Sequence, residues 1–417
     1  MNKRPSLLFL SPVVPAVEGN GLAMRAGVFL EAYASRFDIT VAVLPIAKAG
    51  FGFATSGFVR RHARGMEILP LEPLLHPHFR LIARICDPAE RRAALAQYAR
   101  PRLCPYDAEA AGEMLRSRLG ETGFDAMHVE RLYLAPLADA IPRPPHAILD
   151  LDEDDGAAHR SIGRLHALNG EAAAAAAVIQ EAEKLDRLKH DALPRFDLIL
   201  TAAPGEAAAL GMEFPRCRFA VVANAFRAST GLPASPRPTK GIDYLMVGNL
   251  SYYPNADGAC FLCREVLPFI RQSGGRARTV VAGQQPGAEV RALAALPDIS
   301  VHAGPAHLAP FYADAAVAVV PIRAGGGSRI KILEAFAHGV PVVSTSIGAA
   351  GLEAVDGRHL LIADGPEDFA AAALRLRRDP ALAAAFAAEG LALFEGRYRF
   401  EHAAAGILAL VDSLVPN

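Results

Sequence analysis

Residues 318–353 read AVVPIRAGGGSRIKILEAFAHGVPVVSTSIGAAGLE, and this stretch predicts a strand, a glycine-rich turn, a helix and a second strand. The apolar β-branched run from Val317 to Val320 ends at Pro321, which predicts the end of a buried strand. The turn that follows contains three glycines and a residue type that is favoured at helix N-caps: Gly325, Gly326, Gly327 and Ser328.

A helix is expected immediately after this turn. Ile330, Leu333 and Ala337 recur at helical spacing, and Gly339 is suited to end the helix. Val340 to Thr345 is a second apolar β-branched run and predicts another strand. A strand, helix and strand in this order are typical of a parallel sheet.

The turn has the composition of a phosphate-binding site. Ligands bind at the carboxyl ends of parallel strands, and the free amides of a helix N-terminus attract anions. Arg329 and Lys331 add positive charge, and Glu334 can accept hydrogen bonds from ligand hydroxyl groups. The predicted ligand is a phosphate joined to a polyol; the alternative is an ordinary glycine loop with solvated charges.

The bulk composition narrows the class of protein. A chain of 417 residues predicts two or three domains. The net charge of −1 argues against a nucleic-acid partner. The apolar run Leu7 to Leu10 is too short for a signal peptide, and no stretch reaches the length of a membrane span. Five scattered cysteines suit reduced thiols, so a cytoplasmic protein is predicted.

The first half opens with a strand, Ser6 to Ser11, followed by a turn that contains Gly19, Asn20 and Gly21. This turn is a second candidate phosphate neighbour, with Arg25 close behind it. A simple chain reversal is the alternative.

Residues 60–102 are rich in arginine. Nine arginines stand against four acidic residues there, and apolar residues lie among them, including Leu74, Leu75, Phe79, Leu81 and Ile82. Such a segment is typical of a surface that contacts acidic lipids. Ordinary solvated helix faces are the alternative.

Two further predicted strands, Asp125 to Val129 and His146 to Leu151, end in polar residues where a ligand crevice is expected. His128 and Glu130 are two residues apart and face the same way, as do Asp150 and Asp152. The carboxylates predict a metal site, a general base or sugar-hydroxyl binding, with helix capping as the alternative. For His128 the alternative is a core histidine.

The domain boundaries follow from composition. Residues 231–241 contain three prolines with serine, threonine and glycine, and this composition predicts a linker. Six strand candidates with intervening helices follow it, which predicts a second doubly wound sheet. The predicted organisation is therefore a first Rossmann-like domain at 1–230, a second at 242–396, and a terminal helix at 397–417 that packs back on the first.

In combination, these features resemble the retaining glycosyltransferases of the GT-B fold, and in particular glycosyltransferase family 4. Val247, Gly248 and Asn249, with Pro254 and Asn255, resemble the opening loop of the family's donor domain. The stretch from Gly325 to Glu334 resembles the family's donor signature, and Gly19 to Gly21 its loop near the donor phosphates.

The resemblance implies two Rossmann-like domains that face each other across a cleft, with the nucleotide sugar bound mainly by the second and the acceptor by the first. Glu334 would bind the ribose hydroxyls, while Arg329 and Lys331 would stabilise the leaving diphosphate. Backbone amides at Gly326 and Gly327 would approach that diphosphate. No metal or other cofactor is implied.

Two positions depart from the family's pattern. Many members have a glutamate eight positions before the one matched by Glu334, where this chain has Gly326. The family's histidine near the first-domain strand end corresponds to either His128 or Glu130. In addition, Asn249 to Asn255 lacks the family's lysine, so Arg329 and Lys331 would supply that charge.

The predicted function is transfer of a sugar from a nucleotide-sugar donor to a saccharide or lipid-linked hydroxyl acceptor, with retention of configuration. Surface glycan or glycolipid synthesis at the inner face of a membrane is the expected setting, and Arg25, Asp150 and Asp152 are expected on the acceptor side. The alternatives are a nucleotide-sugar epimerase of the same fold and a catalytically idle sugar-nucleotide-binding scaffold.

Overall fold

The computed structural model describes residues 4–19, 21–46, 57–120, 123–227, 241–327 and 329–415. The chain divides into two compact units. Unit 1 comprises Met1–Phe226 together with Phe400–Asn417, and unit 2 comprises Arg227–Arg399. Of the predicted linker 231–241, only Gly241 lies within the described residues.

Unit 1 is built on a seven-stranded sheet in which every pair of neighbouring strands is parallel. In chain order its strands are β1 (Ser6–Ser11), β2 (Asp38–Val43), β3 (Gly65–Ile68), β4 (Ala126–Glu130), β5 (His146–Asp152), β6 (Leu198–Thr201) and β7 (Phe219–Val221). The spatial order is β3-β2-β1-β4-β5-β6-β7.

Helices cover both faces of this sheet. They are α1 (Gly21–Tyr33), α2 (Gly57–His62), α3 (Leu71–Leu74), α4 (Pro77–Ile82), α5 (Pro88–Gln97), α6 (Ala108–Leu119), α7 (Ala135–Asp139), α8 (Asp155–Leu168), α9 (Ala172–Ala192) and α10 (Pro204–Glu213). Two buried apolar clusters, one on each side, form the core: Leu8, Leu10 and Met127 belong to one, and Phe9 and Phe29 to the other. The strands read as continuous apolar runs because both of their faces are buried.

Unit 2 contains a six-stranded parallel sheet in the order β10-β9-β8-β11-β12-β13. Its strands are β8 (Ile242–Val247), β9 (Thr279–Gly283), β10 (Ile299–Ala303), β11 (Ala315–Val320), β12 (Val342–Ser344) and β13 (Leu361–Ile362). Its helices are α11 (Tyr253–Phe261), α12 (Leu267–Gln272), α13 (Ala288–Ala292), α14 (Ala309–Asp314), α15 (Ile330–Ala337), α16 (Ser346–Ala349), α17 (Pro366–Arg378) and α18 (Pro380–Leu393).

The last helix, α19 (Phe400–Asp412), packs against α1 in unit 1. Ile407 and Val411 are buried in the apolar cluster that contains Phe29. The Arg36 guanidinium pairs with Asp412 at 3.1 Å and donates to the Val415 carbonyl at 2.9 Å. The chain terminus is thus fixed to unit 1 by apolar burial and by polar bonds.

The two parallel sheets confirm the predicted doubly wound α/β fold, with three local differences. The strand β3 was not predicted. The helix that the sequence from Asn255 to Leu267 predicts is interrupted by a π-helical turn at Leu262–Val266, because Pro268 lacks an amide hydrogen and its ring clashes with the preceding turn. Helix α15 begins at Ile330, and the predicted N-cap Ser328 lies outside the described residues.

None of the helices in the described ranges combines the length and the apolar character that are needed to cross a membrane.

The strand ends define where ligands can bind. Because all strands of each sheet are parallel, their carboxyl ends lie along one edge, and the polar turns that follow them meet there.

Candidate active site

The candidate site in unit 2 begins where β8 and β9 end. The two turns approach so closely that a Cβ on Gly283 would lie 1.7 Å from the Gly248 carbonyl oxygen. A Cβ on Gly248 would lie 3.0 Å from the Asn255 side chain. These glycines therefore allow the backbone after β8 to lie against α11 and the end of β9.

The glycine turn after β11 has the conformation expected of its sequence. Gly325 and Gly327 have φ angles of 107° and 71°, which L-residues with a side chain rarely adopt, whereas Gly326 has no positive φ. A Cβ on Gly325 would lie 3.1 Å from the Tyr252 hydroxyl and 3.2 Å from the Arg329 guanidinium. The turn thus brings exposed backbone close to polar groups from two elements.

Lys331 is held by a chain of two hydrogen bonds. Its Nζ donates to Asn255 Oδ1 at 2.5 Å, and Asn255 Nδ2 donates in turn to the Asn249 carbonyl at 2.8 Å. The Asn249 side chain caps its own turn by accepting from the Ser251 amide and hydroxyl. The ammonium group is therefore oriented by the turn after β8, although Lys331 itself belongs to α15.

Glu334 lies one turn further along α15. Its Oε2 accepts a hydrogen bond from the Tyr312 hydroxyl at 3.2 Å. The Tyr312 ring stacks on His338, with centroids 4.9 Å apart and planes inclined by 9°. Tyr312, stacked on His338, therefore positions the carboxylate through one of its two oxygens.

Lys331 and Glu334, the two charged residues of α15 at this site, both have shifted pKa values. Burial, together with the charge of Arg329, lowers the pKa of Lys331 to about 7. Burial raises the pKa of Glu334, against the opposing effects of Tyr312 and Lys331. Two cations this close to a helix N-terminus are unfavourable unless an anion offsets them. The arrangement is therefore suited to a phosphate ligand.

The segment between β11 and the glycine turn is anchored to α11. Arg323 makes a bidentate ion pair with Asp257, at 2.9 Å and 2.6 Å, and its guanidinium lies over the Phe261 ring at 4.9 Å. A planar bidentate pair fixes direction as well as distance. It therefore limits where the glycine turn can lie relative to Asn255.

The predicted first-domain residues His128 and Glu130 lie at the end of β4, and both are fully buried. The His128 ring stacks on Phe9 at 4.7 Å and is hydrogen-bonded to the Tyr33 hydroxyl at 3.0 Å. Burial lowers the pKa of His128 to about 3. This histidine is therefore neutral and packed among aromatic rings.

Glu130 has a more polar environment. Its Oε2 accepts from the Ser11 hydroxyl at 2.5 Å, while Oε1 is buried and has no hydrogen-bond partner among the described residues. Burial raises the pKa of this carboxyl group well above its ordinary value. Burial therefore favours the protonated form of Glu130, and a raised carboxyl pKa is the direction that a general acid requires.

Arg25 lies beneath this edge of the sheet as part of a buried frame. Its guanidinium binds both oxygens of Asp150 at 2.6 Å and lies 3.7 Å from Asp152. It also donates to the Val222 carbonyl and to Asn224 Oδ1. The frame joins α1, β5 and the segment after β7. Arg25 contacts both Asp150 and Asp152, although the register of β5 shifts between these two residues and Asp152 has a positive φ, so simple strand alternation does not explain their common partner.

Backbone strain marks the same edge. Arg131 and Asp152 both have positive φ angles, of 75° and 62°, although neither is glycine. Arg131 pairs with Asp152 at 3.0 Å, with Glu153 at 3.2 Å and with Asp155 at 2.7 Å. Strained residues of this kind persist where the surrounding structure determines them, and they cluster at functional sites.

The structure thus assembles the predicted residues into two groups, each within its own unit. Gly248, Asn249, the glycine turn, Lys331 and Glu334 form the first, and Arg25, His128, Glu130, Asp150 and Asp152 form the second. Gly19 has a φ of 115° and Gly21 starts α1, whereas the predicted residue Asn20 is not among those described. Among the described residues, no three His, Cys, Asp or Glu side chains are arranged to hold a metal ion.

Several contributing residues were not assigned a role from the sequence. Ser11 ends the apolar strand β1 with a polar side chain, and this signal was visible in the sequence. Asn255 was noted only as part of a motif. Tyr312, Arg323 and Asp257 gave no signal, because their partners lie 22 and 66 residues away in the sequence.

The lowered pKa of Lys331 predicts a pH-dependent stability difference between the wild type and Lys331→Met. Below about pH 7 both folded and unfolded chains carry the ammonium, and its burial penalty is present in full. From there to about 10.4, the unfolded chain binds a proton that the folded chain lacks, so stability rises with pH. As the pH rises from 6 to 10, the thermal unfolding midpoint of the wild type should therefore increase relative to that of Lys331→Met. A difference between the two midpoints that stays constant over this range would contradict the lowered pKa of Lys331.

Comparisons with known proteins bear on the family pattern and on the fold. Residues 241–379 match the family model of the Glycosyl transferases group 1. No curated protein sequence matches the chain. Among solved structures, sucrose-phosphate synthase from Thermosynechococcus elongatus is 15% identical with a TM-score of 0.69, and each chain is covered over 99% of its length.

Two further solved structures are similar over nearly the whole chain. HepE from Anabaena, in complex with UDP and glucose, is 13% identical with a TM-score of 0.63, covering 98% of this chain and 100% of that one. Staphylococcus aureus TarM, solved with UDP and α-GlcNAc-glycerol, is 8% identical with a TM-score of 0.66, covering 99% and 100%. The chain therefore carries the sequence pattern of the group 1 glycosyl transferases at residues 241–379 and has the GT-B fold of these glycosyltransferases.

Proposed function

We propose that this protein transfers a sugar from a nucleotide-sugar donor to a hydroxyl group of a saccharide or lipid-linked acceptor, with retention of anomeric configuration. The observation that carries the proposal is the position of Lys331. Its ammonium is oriented by Asn255 beside the glycine turn, within the segment that matches the group 1 glycosyl transferases.

The donor diphosphate would bind at Gly325 to Gly327, with Arg329 and Lys331 beside it. Negative charge develops on the nucleoside diphosphate as it leaves the sugar, and cations held in place stabilise that charge more than they stabilise the bound donor. Glu334 would accept hydrogen bonds from the ribose hydroxyls. The UDP present in the HepE and TarM structures makes UDP-sugars the first donors to test.

In unit 1, Glu130 is the favoured candidate for a catalytic or acceptor-side role over His128. Both side chains keep a buried atom without a hydrogen-bond partner among the described residues, His128 Nε2 and Glu130 Oε1. They differ in their other contacts, because rings of Phe9, Phe29 and Tyr33 pack on His128, whereas Glu130 is hydrogen-bonded to the Ser11 hydroxyl. Retention of configuration and a role in surface glycan or glycolipid synthesis rest on the family resemblance.

Donor turnover provides the test of this function. Purified protein is incubated with UDP-, GDP- and ADP-sugars, with and without saccharide and lipid acceptors, and release of the nucleoside diphosphate is measured. Lys331→Ala and Glu334→Ala should each lower kcat/KM by a factor of about ten or more, the scale of one lost charge-assisted hydrogen bond.

Glu367→Ala, which removes an exposed carboxylate from α17, is the matched control and should leave turnover unchanged. Equal kinetics in all three variants would refute the site. Donor binding without transfer or hydrolysis across the panel would instead support a sugar-nucleotide-binding scaffold.

We also propose that α4 and α5 contact an acidic lipid surface. Neither helix has a buried residue, and Leu81 is 58% exposed. Arg80, Arg84, Arg91 and Arg92 lie on or beside these helices, and each basic residue near an acidic membrane contributes about 1 kcal/mol.

Co-sedimentation with vesicles tests this contact. The wild type should bind phosphatidylglycerol vesicles more strongly than phosphatidylcholine vesicles, and increasing salt should weaken that binding. Leu81→Asp combined with Arg84→Gln should reduce the bound fraction, whereas Arg164→Gln, at an exposed arginine of α8, should not. Equal binding by both variants would contradict the proposed surface.

A further inference from the structure

A pocket of 480 Å³ lies in unit 2 at the amino end of its sheet. Its walls come from the end of α12, the loop that precedes β9 and the residue that precedes β10. They are formed by Arg271, Gly275, Arg276, Ala277, Arg278 and Asp298. We call this the arginine pocket.

The arginine pocket is separate from the candidate donor site. Arg278 immediately precedes β9, whereas Gly283 at the other end of β9 borders the donor turn. Five residues of extended chain span roughly 16 Å. A ligand in one site therefore cannot share its contacts with the other.

The lining is strongly basic. Three arginines face a single acid, Asp298. A second acid, Asp243, is fully buried behind the pocket, but it pairs with Arg377 at 2.8 Å and lies 3.5 Å from the Arg278 guanidinium. Because Asp243 is shared between two arginines, it does not neutralise the positive charge of the pocket.

Arg271 has an unsatisfied donor. One of its terminal nitrogens donates to the Pro297 carbonyl at 2.6 Å. Its Nε is buried and has no hydrogen-bond partner among the described residues. A buried donor left unpaired on a charged group is costly, and a bound water or ion is one of the ways in which native proteins satisfy such a group.

The loop that carries these arginines is held in one conformation. Gly275 donates to the Ile270 carbonyl at 3.0 Å, and a Cβ at this position would lie 2.5 Å from Leu374. Ala277 is buried, and the Arg278 amide donates to Asp243 Oδ2 at 3.1 Å. The arginines therefore project from a fixed backbone, which lowers the entropic cost of binding.

We propose that the arginine pocket binds a phosphate-bearing anion, independently of the proposed transferase activity. The guanidinium group presents planar paired donors that match phosphate oxygens. The volume of 480 Å³ leaves room for a phosphate or diphosphate group. The anion is either a soluble phosphorylated molecule or the phosphate of a lipid head group, and these two sources share the recognised chemistry.

Calorimetric titration with inorganic pyrophosphate tests the proposal. Arg271→Gln and Arg276→Gln should each weaken binding roughly tenfold, the equivalent of one charge-assisted hydrogen bond. Arg276 is exposed, so its replacement keeps the fold even if Arg271→Gln does not. Arg291→Gln, at an exposed arginine of α13, is the control for net charge and should bind as the wild type does.

Lys331→Ala separates the arginine pocket from the donor turn. Pyrophosphate binding that persists in Lys331→Ala and is lost in Arg276→Gln supports the proposal. Three results would overturn it. Binding could be unchanged in both Arg271→Gln and Arg276→Gln, it could be weakened equally in the control Arg291→Gln, or it could be lost only in Lys331→Ala. Repeating the titration with water-soluble dihexanoyl phosphatidic acid identifies the source, because a lipid head-group site binds it more tightly than pyrophosphate.

Discussion

The close approach of β8 and β9 is the constraint on which the candidate donor site depends. Only glycine at 283 leaves room for the Gly248 carbonyl, and only then can the turn after β8 lie against α11. That turn provides the Asn249 carbonyl, which orients Asn255, and Asn255 in turn orients Lys331. The distance between the backbones of two strands thus determines the direction of the Lys331 ammonium group, although Lys331 lies 76 residues after Asn255 in the sequence.

Electrostatics then explains what this site is suited to bind. In the free protein, Arg329 and Lys331 repel each other, and burial favours loss of the Lys331 proton. A diphosphate would offset both effects, so ligand binding and proton uptake by Lys331 are expected to be linked. Unit 1 differs, because Arg25 and Arg131 are already paired with carboxylates. Among the described residues of unit 1, the buried atoms without a hydrogen-bond partner include His128 Nε2, Glu130 Oε1 and Arg131 Nε.

The sequence predicted the parallel sheets and also which side of helix α15 is apolar, because the spacing of apolar residues encodes both. Lys331 and Glu334 were proposed as candidate site residues because they are three residues apart on a helix that follows a glycine turn. The roles of Asn255 and Tyr312 were not found, because each depends on a contact between distant segments. The π-helical turn at Leu262–Val266 was also missed, although Pro268 was a visible cause. Periodicity identified His128 and Glu130 as neighbours but could not reveal that aromatic rings enclose only the histidine.

The central claim is that the glycine turn and Lys331 bind the donor diphosphate. A crystal structure of the protein with bound UDP tests it most directly. Phosphate oxygens are expected within hydrogen-bonding distance of Lys331 Nζ and of the backbone at Gly325 to Gly327, with the ribose hydroxyls at Glu334. A diphosphate bound elsewhere in the chain, for example in the arginine pocket, with Lys331 still bonded only to Asn255, would contradict it.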